Sequence, residues 1–213
     1  MNAKTLVTLD DVGLSIGGSV ILTSAKLTVA AGEKVGLLGP NGSGKTTLLR
    51  VLATLLRPTS GTGAVLGAEL GTDEIYAVRP DIVLVGHLPG LYPELTLGEN
   101  LRFVARLTGR DPRRADEALA AVGLAAAADR RARDSSKGML RRTELARALI
   151  QEPRLLLLDE AHAGLDADAI GLVDAITGRV VAAGGAALLV SHEPDRLEVD
   201  RSLRLVDGSV EEA

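Results

Sequence analysis

The chain has 213 residues, long enough for one domain with a lobe inserted into it and cramped for two independent ones. A net charge of -4 and an aromatic content of 1% exclude a general polyanion binder, which needs excess Lys/Arg and stacking rings, so no nucleic acid partner is expected. With no cysteine, disulfides, thiolate chemistry and Cys-ligated zinc are excluded as well.

Lys4 is followed by apolar residues interrupted by Thr5, Thr8, Asp10 and Asp11, which is not a signal-peptide pattern. The longest uncharged apolar stretch, residues 180–190, falls well short of the roughly 20 residues needed to span a bilayer, so any membrane role must come through a partner. Leu6–Leu9, Leu14–Ile16 and Ala25–Val29 read as short β runs broken by Gly17-Gly18 and Ala31-Gly32, an antiparallel flap feeding the next strand. That strand is the apolar run Lys34–Leu38, and Leu48, Leu49, Val51, Leu52 and Leu55 follow at helical spacing. Between strand and helix stands Gly39-Pro40-Asn41-Gly42-Ser43-Gly44-Lys45-Thr46-Thr47, which satisfies G-x-x-x-x-G-K-[ST] in the context the motif requires. Its glycines let backbone N–H groups turn toward phosphate oxygens, and the helix start adds partial positive charge. Lys45 is expected to reach the β and γ phosphates and the Thr46 hydroxyl to ligate Mg²⁺.

Further on, Pro58–Gly63 is a turn cluster before a short strand at Ala64–Leu66, and Ile82–Val85 is a second buried strand. From about residue 88 to 150, helical spacing over Leu97–Leu107, Arg113–Val122 and Lys137–Ile150 predicts an inserted helical lobe. Arg130, Arg131 and Arg133 with Asp129 and Asp134 read as a solvated charged face. The β pattern returns at Leu155–Leu158. A helix over Ala167–Ala183 follows, then a strand at Ala186–Val190 and a hairpin, Ser202–Val206 with Ser209-Val210, over the Asp207-Gly208 turn. Strands alternating with helices predict an α/β fold with a mostly parallel sheet.

Three further constellations carry chemistry. Asp159-Glu160 leaves the Leu155–Leu158 strand at the edge where ligands sit in open α/β sheets. Alternation along the strand would aim the two carboxylates to opposite sides, Asp159 toward Mg²⁺ and Glu160 toward a water attacking the γ-phosphate. Ser191-His192 ends the next strand, so His192 reaches the same edge and can donate to the γ-phosphate. His87, His162 and His192 lie at strand exits or beside the acidic pair but lack a fourth ligand suited to zinc. Ser136-Lys137-Gly138-Met139 opens a helix and offers either a second anion site or a plain N-cap. One phosphate cannot easily occupy two distant helix starts in one monomer, so a second copy of the chain is the economical supplier.

On these motifs, over essentially its whole length, the chain resembles the nucleotide-binding subunit of an ABC transporter. The resemblance implies a P-loop NTPase with an N-terminal antiparallel β subdomain and an inserted helical subdomain, the whole of 1–213 forming one ATP-binding domain. It identifies Gly39–Thr46 with Walker A, Leu155–Asp159 with Walker B, Glu160 with the catalytic carboxylate, Ser136–Met139 with the signature, Ala163–Asp166 with the D-loop and His192 with the switch histidine. It implies ATP and Mg²⁺ as cofactors, ATP pressed between two head-to-tail copies, and a separate membrane permease that holds the subunit at the cytoplasmic face of the cell membrane. Gly86-His87, Pro89–Tyr92, Leu95-Thr96 and Glu99–Phe103 resemble more particularly the haem exporters of cytochrome c maturation, although drug and polysaccharide exporters share much of this. Four features depart from the family. The signature is Ser-Lys-Gly-Met instead of Ser-Gly-Gly-Gln, and Ile16 stands about where an aromatic ring stacks on adenine. His87 or Leu88 takes the place of the Gln that senses Mg²⁺ and signals to the permease, and Ala161 follows Glu160 where Pro is common. A small P-loop nucleotide or metabolite kinase shares the loop and the length but has no use for Ser136–Met139, Glu160 and His192 together.

Overall fold

The computed structural model describes residues 4–160, 167–191 and 197–212, without the side chains of residues 167–170. β1 (Thr5–Ile16) and β2 (Ser19–Ala30) are 12-residue strands paired as one long hairpin, where the sequence suggested shorter runs. The pairing shifts register between Leu9 and Val12, and Asp11 adopts φ 51, so the strand carries its polar Asp10-Asp11 step as a bulge instead of ending there. β3 (Lys34–Leu38) leads into α1 (Lys45–Leu52), whose Leu48, Leu49, Val51 and Leu52 are all buried. The expected turn at Pro58–Gly63 is a turn only at its start, because β4 (Ser60–Val65) pairs with β1 and ends before Leu66, which turns at φ 54. Gly61 is the reason a Gly-rich stretch can be a strand here: an added Cβ would lie 2.2 Å from the Asp11 carbonyl oxygen. After β5 (Ala68–Glu69) and the short α2 (Ile75–Val78), β6 (Ile82–Val85) falls where the apolar run predicts it.

The lobe is made of α3 (Leu97–Leu107), α4 (Arg114–Ala121) and α5 (Lys137–Gln151), and the sheet resumes with β7 (Leu155–Leu158), α6 (Ala167–Ala182), β8 (Ala186–Val190), β9 (Arg201–Val206) and β10 (Ser209–Glu212). Among the described residues, ten strands lie in the order β5-β4-β1-β2-β10-β9-β3-β8-β7-β6. The run from β9 to β6 is parallel throughout, so the loops leaving β3, β6, β7 and β8 share one edge. The closing hairpin turns at Asp207, φ 47, and does more than end the chain: β10 pairs with β9 on one side and, through Ser209 and Ser24, with β2 on the other.

β7 shows why its leucines do not alternate with polar residues. Leu155 and Leu157 enter the core shared with α1 and the N-terminal strands, while Leu156 and Leu158 enter the core under α5 and α6. Both faces are covered, as a central parallel strand requires. The lobe has a core of its own from Leu97, Leu101, Leu119, Ala146 and Ile150, while Leu145 and Ala148 of α5 face the sheet. α5 therefore belongs to both layers at once.

The loop between β6 and α3 is held by α3 itself. Thr96 and Glu99 exchange side-chain-to-backbone hydrogen bonds of 3.1 and 2.8 Å, a reciprocal cap. The buried Asn100 amide accepts from the Tyr92 N–H at 2.7 Å and donates to the carbonyls of Tyr92, Leu95 and Thr96. Tyr92 and Phe103 meet edge to face at 5.2 Å. Among the residues that suggested haem exporters, these five build the scaffold of the loop.

Candidate active site

The phosphate loop is shaped by what lies behind it. Gly39 has φ 147, and a Cβ there would fall 2.3 Å from the Leu205 carbonyl oxygen of β9, so only glycine lets the loop seat on the sheet. Gly44 caps α1 from the left-handed region without any side-chain hydrogen bond. The Lys45 ammonium folds over the loop, donating to the carbonyls of Gly39 at 2.8 Å and Pro40 at 2.7 Å. Burial lowers its pKa, against the opposing pull of Asp159 and Glu160. The Ser43 hydroxyl is buried and has no hydrogen-bond partner among the described residues, so the loop turns an unused polar atom inward as a phosphate-binding loop would.

Across the edge, the Thr46 hydroxyl donates to Oδ2 of Asp159 at 2.8 Å. One hydroxyl and one carboxylate, with nucleotide phosphates completing the set, suit the hard, oxygen-seeking Mg²⁺ ion. A cleft of about 450 Å³ gathers Asn41, Gly42, Lys45, Thr46, Thr47, Asp159 and Glu160. Its continuation, about 320 Å³, runs past Pro40 and Ser43 to Val20, Ile21 and the Asp207-Gly208 turn. Ile16 is half exposed and lines neither space.

The divergence of Asp159 and Glu160 has a different cause from the expected one. β7 ends at Leu158, and Asp159 remains tied to β6 by its N–H to the Val85 carbonyl, 2.9 Å. Glu160 then turns at φ 52, so its direction comes from a left-handed residue and not from strand alternation. Its carboxylate oxygen Oε2 accepts from Nδ1 of His87, 3.0 Å away, whereas Leu88 is largely exposed.

Ser136 accepts from the Met139 N–H at 3.2 Å and so caps α5, the plainer of the two roles open to it. None of Ser136, Lys137, Gly138 and Met139 lines the phosphate cleft; Lys137 lines a separate cavity of about 350 Å³ with His87, Arg141, Glu144, Asp159 and Glu160. Asp166, His162 and His192 lie outside the described residues. Among those described, no three His, Cys, Asp or Glu side chains gather as a metal cluster.

Sequence reasoning missed one group that the structure brings to the site. Arg141 of α5 is buried, and its guanidinium donates at 2.8 Å to each of the carbonyls of Gly86, Asp159 and Glu160. The available signal was the spacing Arg141, Glu144, Arg147, three charges on one face of a helix whose neighbours Leu145 and Ala148 are core.

A family model for ABC transporters matches residues 22–163. The chain belongs to the ABC transporter family, as an ATP-binding subunit. It is 39% identical to the daunorubicin resistance ATP-binding protein DrrA3 of Streptomyces coeruleorubidus, over 99% of this chain and 70% of that one. It is 40% identical to the cytochrome c biogenesis ATP-binding export protein CcmA of Methylococcus capsulatus, over 89% and 92%. Among solved structures, a dimeric ATP-binding cassette in a post-hydrolysis state with ADP and phosphate aligns with TM-score 0.86 and 27% identity, covering 97% of this chain and 98% of the other. The mixed sheet, antiparallel N-terminal strands and helical lobe are those of an ABC ATPase, and ATPases of this family dimerise and pair with a permease. Among the described residues, no helix is long and apolar enough to cross a membrane.

Proposed function

We propose that the chain is the ATP-hydrolysing motor of an ABC exporter, a homodimer when ATP is bound, held at the cytoplasmic face of the membrane by a separate permease. In this reading residues 1–213 act as one ATP-binding domain, with the lobe at about 88–150 turned to the permease. The observation that carries it is the 2.8 Å contact of Thr46 with Asp159, which joins the phosphate loop to the acidic strand end in one cleft with Glu160.

The roles follow from chemistry. Gly39–Thr47 cradle the phosphates and Lys45 exchanges its carbonyl partners for β and γ oxygens. Thr46 and Asp159 would hold Mg²⁺, which when bound would neutralise the charge that builds on the transferred phosphoryl group. Glu160 orients the attacking water and takes its proton. Ser136, Lys137, Gly138 and Met139 close over the partner copy's nucleotide, and Asp166 and His192 contribute to the closed site as the family resemblance implies.

For cargo, we favour haem for cytochrome c maturation, on the His87 to Phe103 residues and on the similarity to CcmA across most of both chains. Drug export is the second reading, supported by a match to DrrA3 of nearly equal identity. Glu160→Gln tests the motor: it should abolish turnover and give an ATP-bound dimer on size-exclusion chromatography, and a mutant that stays monomeric at high MgATP would overturn the dimer. Deleting the gene tests the cargo, since loss of haem-bearing c-type cytochromes and daunorubicin sensitivity are separable outcomes.

A further inference from the structure

We infer that Arg141 is a positioning residue for hydrolysis, tying the helix that begins at Ser136–Met139 to the turn that aims Glu160 in the same subunit. The inference rests on the role given above to Glu160. Its geometry is a three-way staple: one guanidinium holds the carbonyl of Gly86, in the loop after β6, and the carbonyls of both acidic residues after β7. Glu160 needs such a hold. A non-glycine residue at φ 52 persists only where its surroundings fix it, and the two peptide oxygens gripped by Arg141 belong to that residue and the one before it.

The staple is also a link. Arg141 stands five residues beyond Ser136, roughly 7.5 Å along the helix axis. α5 is packed on one side in the sheet core and on the other in the lobe core, and its continuous helix joins Ser136 to Arg141 without a break. Further along the helix, Arg147 donates to the Leu84 carbonyl of β6 at 3.1 Å and pairs with Glu144 at 3.2 Å. Stability alone is a poor reason for this arrangement. The guanidinium is buried and its Nε has no partner among the described residues, and the desolvation of a buried charge offsets much of what its contacts gain, so the burial of a charge is weak evidence of a stabilising role. A second copy's phosphate engaging the start of α5 therefore bears, through this hold, on this chain's own Glu160 and sets it for hydrolysis, making hydrolysis at one nucleotide depend on capture of the other.

The test uses the full chain with its permease. Arg141→Lys keeps a charge and a long stem but puts its donors on one nitrogen and loses the fork that reaches Gly86 through one nitrogen and Asp159 and Glu160 through the other, and Arg141→Gln keeps fewer donors still. Assayed well below their thermal midpoints, which fall modestly because buried carbonyls lose a donor, both should lower kcat on the order of ten-fold or more while leaving KM and MgATP binding near wild type, and the ATP dependence should lose its cooperativity. In a Glu160→Gln background they should still form the ATP-bound dimer. Wild-type kcat and cooperativity in Arg141→Lys would overturn the inference, as would a fall in thermal midpoint and nucleotide binding that accounts for the lost rate, which would make Arg141 a structural staple only. Full turnover by Glu160→Gln itself would instead overturn the role of Glu160.

Discussion

Nδ1 of His87 donates to Oε2 of Glu160 across 3.0 Å, so the loop leaving β6 touches the carboxylate leaving β7. The family resemblance put His87 or Leu88 in place of the Gln that senses Mg²⁺ and signals to the permease; the contact of His87 is with the group proposed to handle the water. His87→Ala should keep MgATP binding, because Lys45, Thr46 and Asp159 are untouched, and should lose stimulation by the permease on the order of ten-fold, the worth of one hydrogen bond to a charged group. ATPase rates in liposomes with and without permease decide it. Equal stimulation of mutant and wild type would remove His87 from coupling.

Base selectivity should be weak. The cleft beyond the phosphate loop is bounded by Val20 and Ile21, while Tyr92 is engaged with Phe103 and Tyr76 with Arg79. A base-aromatic stack worth roughly 1–3 kcal/mol has no ring to form on, so kcat/KM for ATP and GTP should agree to within about three-fold. A strong preference for ATP in parallel steady-state assays would show that the base is read by another group.

Glu144 provides a pH test. Burial raises its pKa, against the pull of Arg147, Arg141 and the Gly90 N–H. Across the window from the ordinary glutamate value of about 4.3 up to the raised folded value, the folded chain binds more protons than the unfolded one, so stability falls as pH rises. Glu144→Gln removes that slope. The Tm of the mutant minus that of wild type should grow as pH is raised through this window and then level off; a difference that is flat or shrinking contradicts the assignment.

Asn100 should matter for stability more than its polar side chain suggests. Asn100→Ala strips a donor and an acceptor from four backbone partners in a buried site and should cost about 1–3 kcal/mol, read as a lowered urea midpoint. Asn100→Asp, which cannot donate, should be at least as damaging, and amide exchange should rise first at residues 90–96.

Elements with one strong periodicity were legible. Leu155–Leu158 could only be a strand covered on both faces, and Leu97–Leu107 reads as a helix to the residue. Where tertiary contact overrides local chemistry the sequence misleads: Leu6–Leu9 and Leu14–Ile16 read as separate runs and are one strand bulged at Asp10-Asp11, and Ser60–Gly63 looks like a turn and is a strand pressed on β1. The same divide runs through the site. The phosphate loop is local and stands in the sequence as a string, and the exit of β7 brings Asp159 to Thr46 as parallel topology demands. The grip of Arg141 on three carbonyls, and the turn at Glu160 that needs it, arise from segments far apart in the chain, and no local pattern encodes them.

β3 delivers the phosphate loop, yet its hydrogen-bonded neighbours are β8 and β9, which begin only at Ala186 and Arg201. On the ribosome, the nucleotide motif emerges early and waits for most of the chain before its strand has a ladder on either side. Pairings of such long range form slowly and leave apolar edges open meanwhile. A nascent chain stopped before Ala186 would carry every residue of Gly39–Thr47 and lack the Leu205 carbonyl against which Gly39 is fitted. The ladder on both sides of β3, and the carbonyl behind Gly39, can therefore be in place only after β9 has been made.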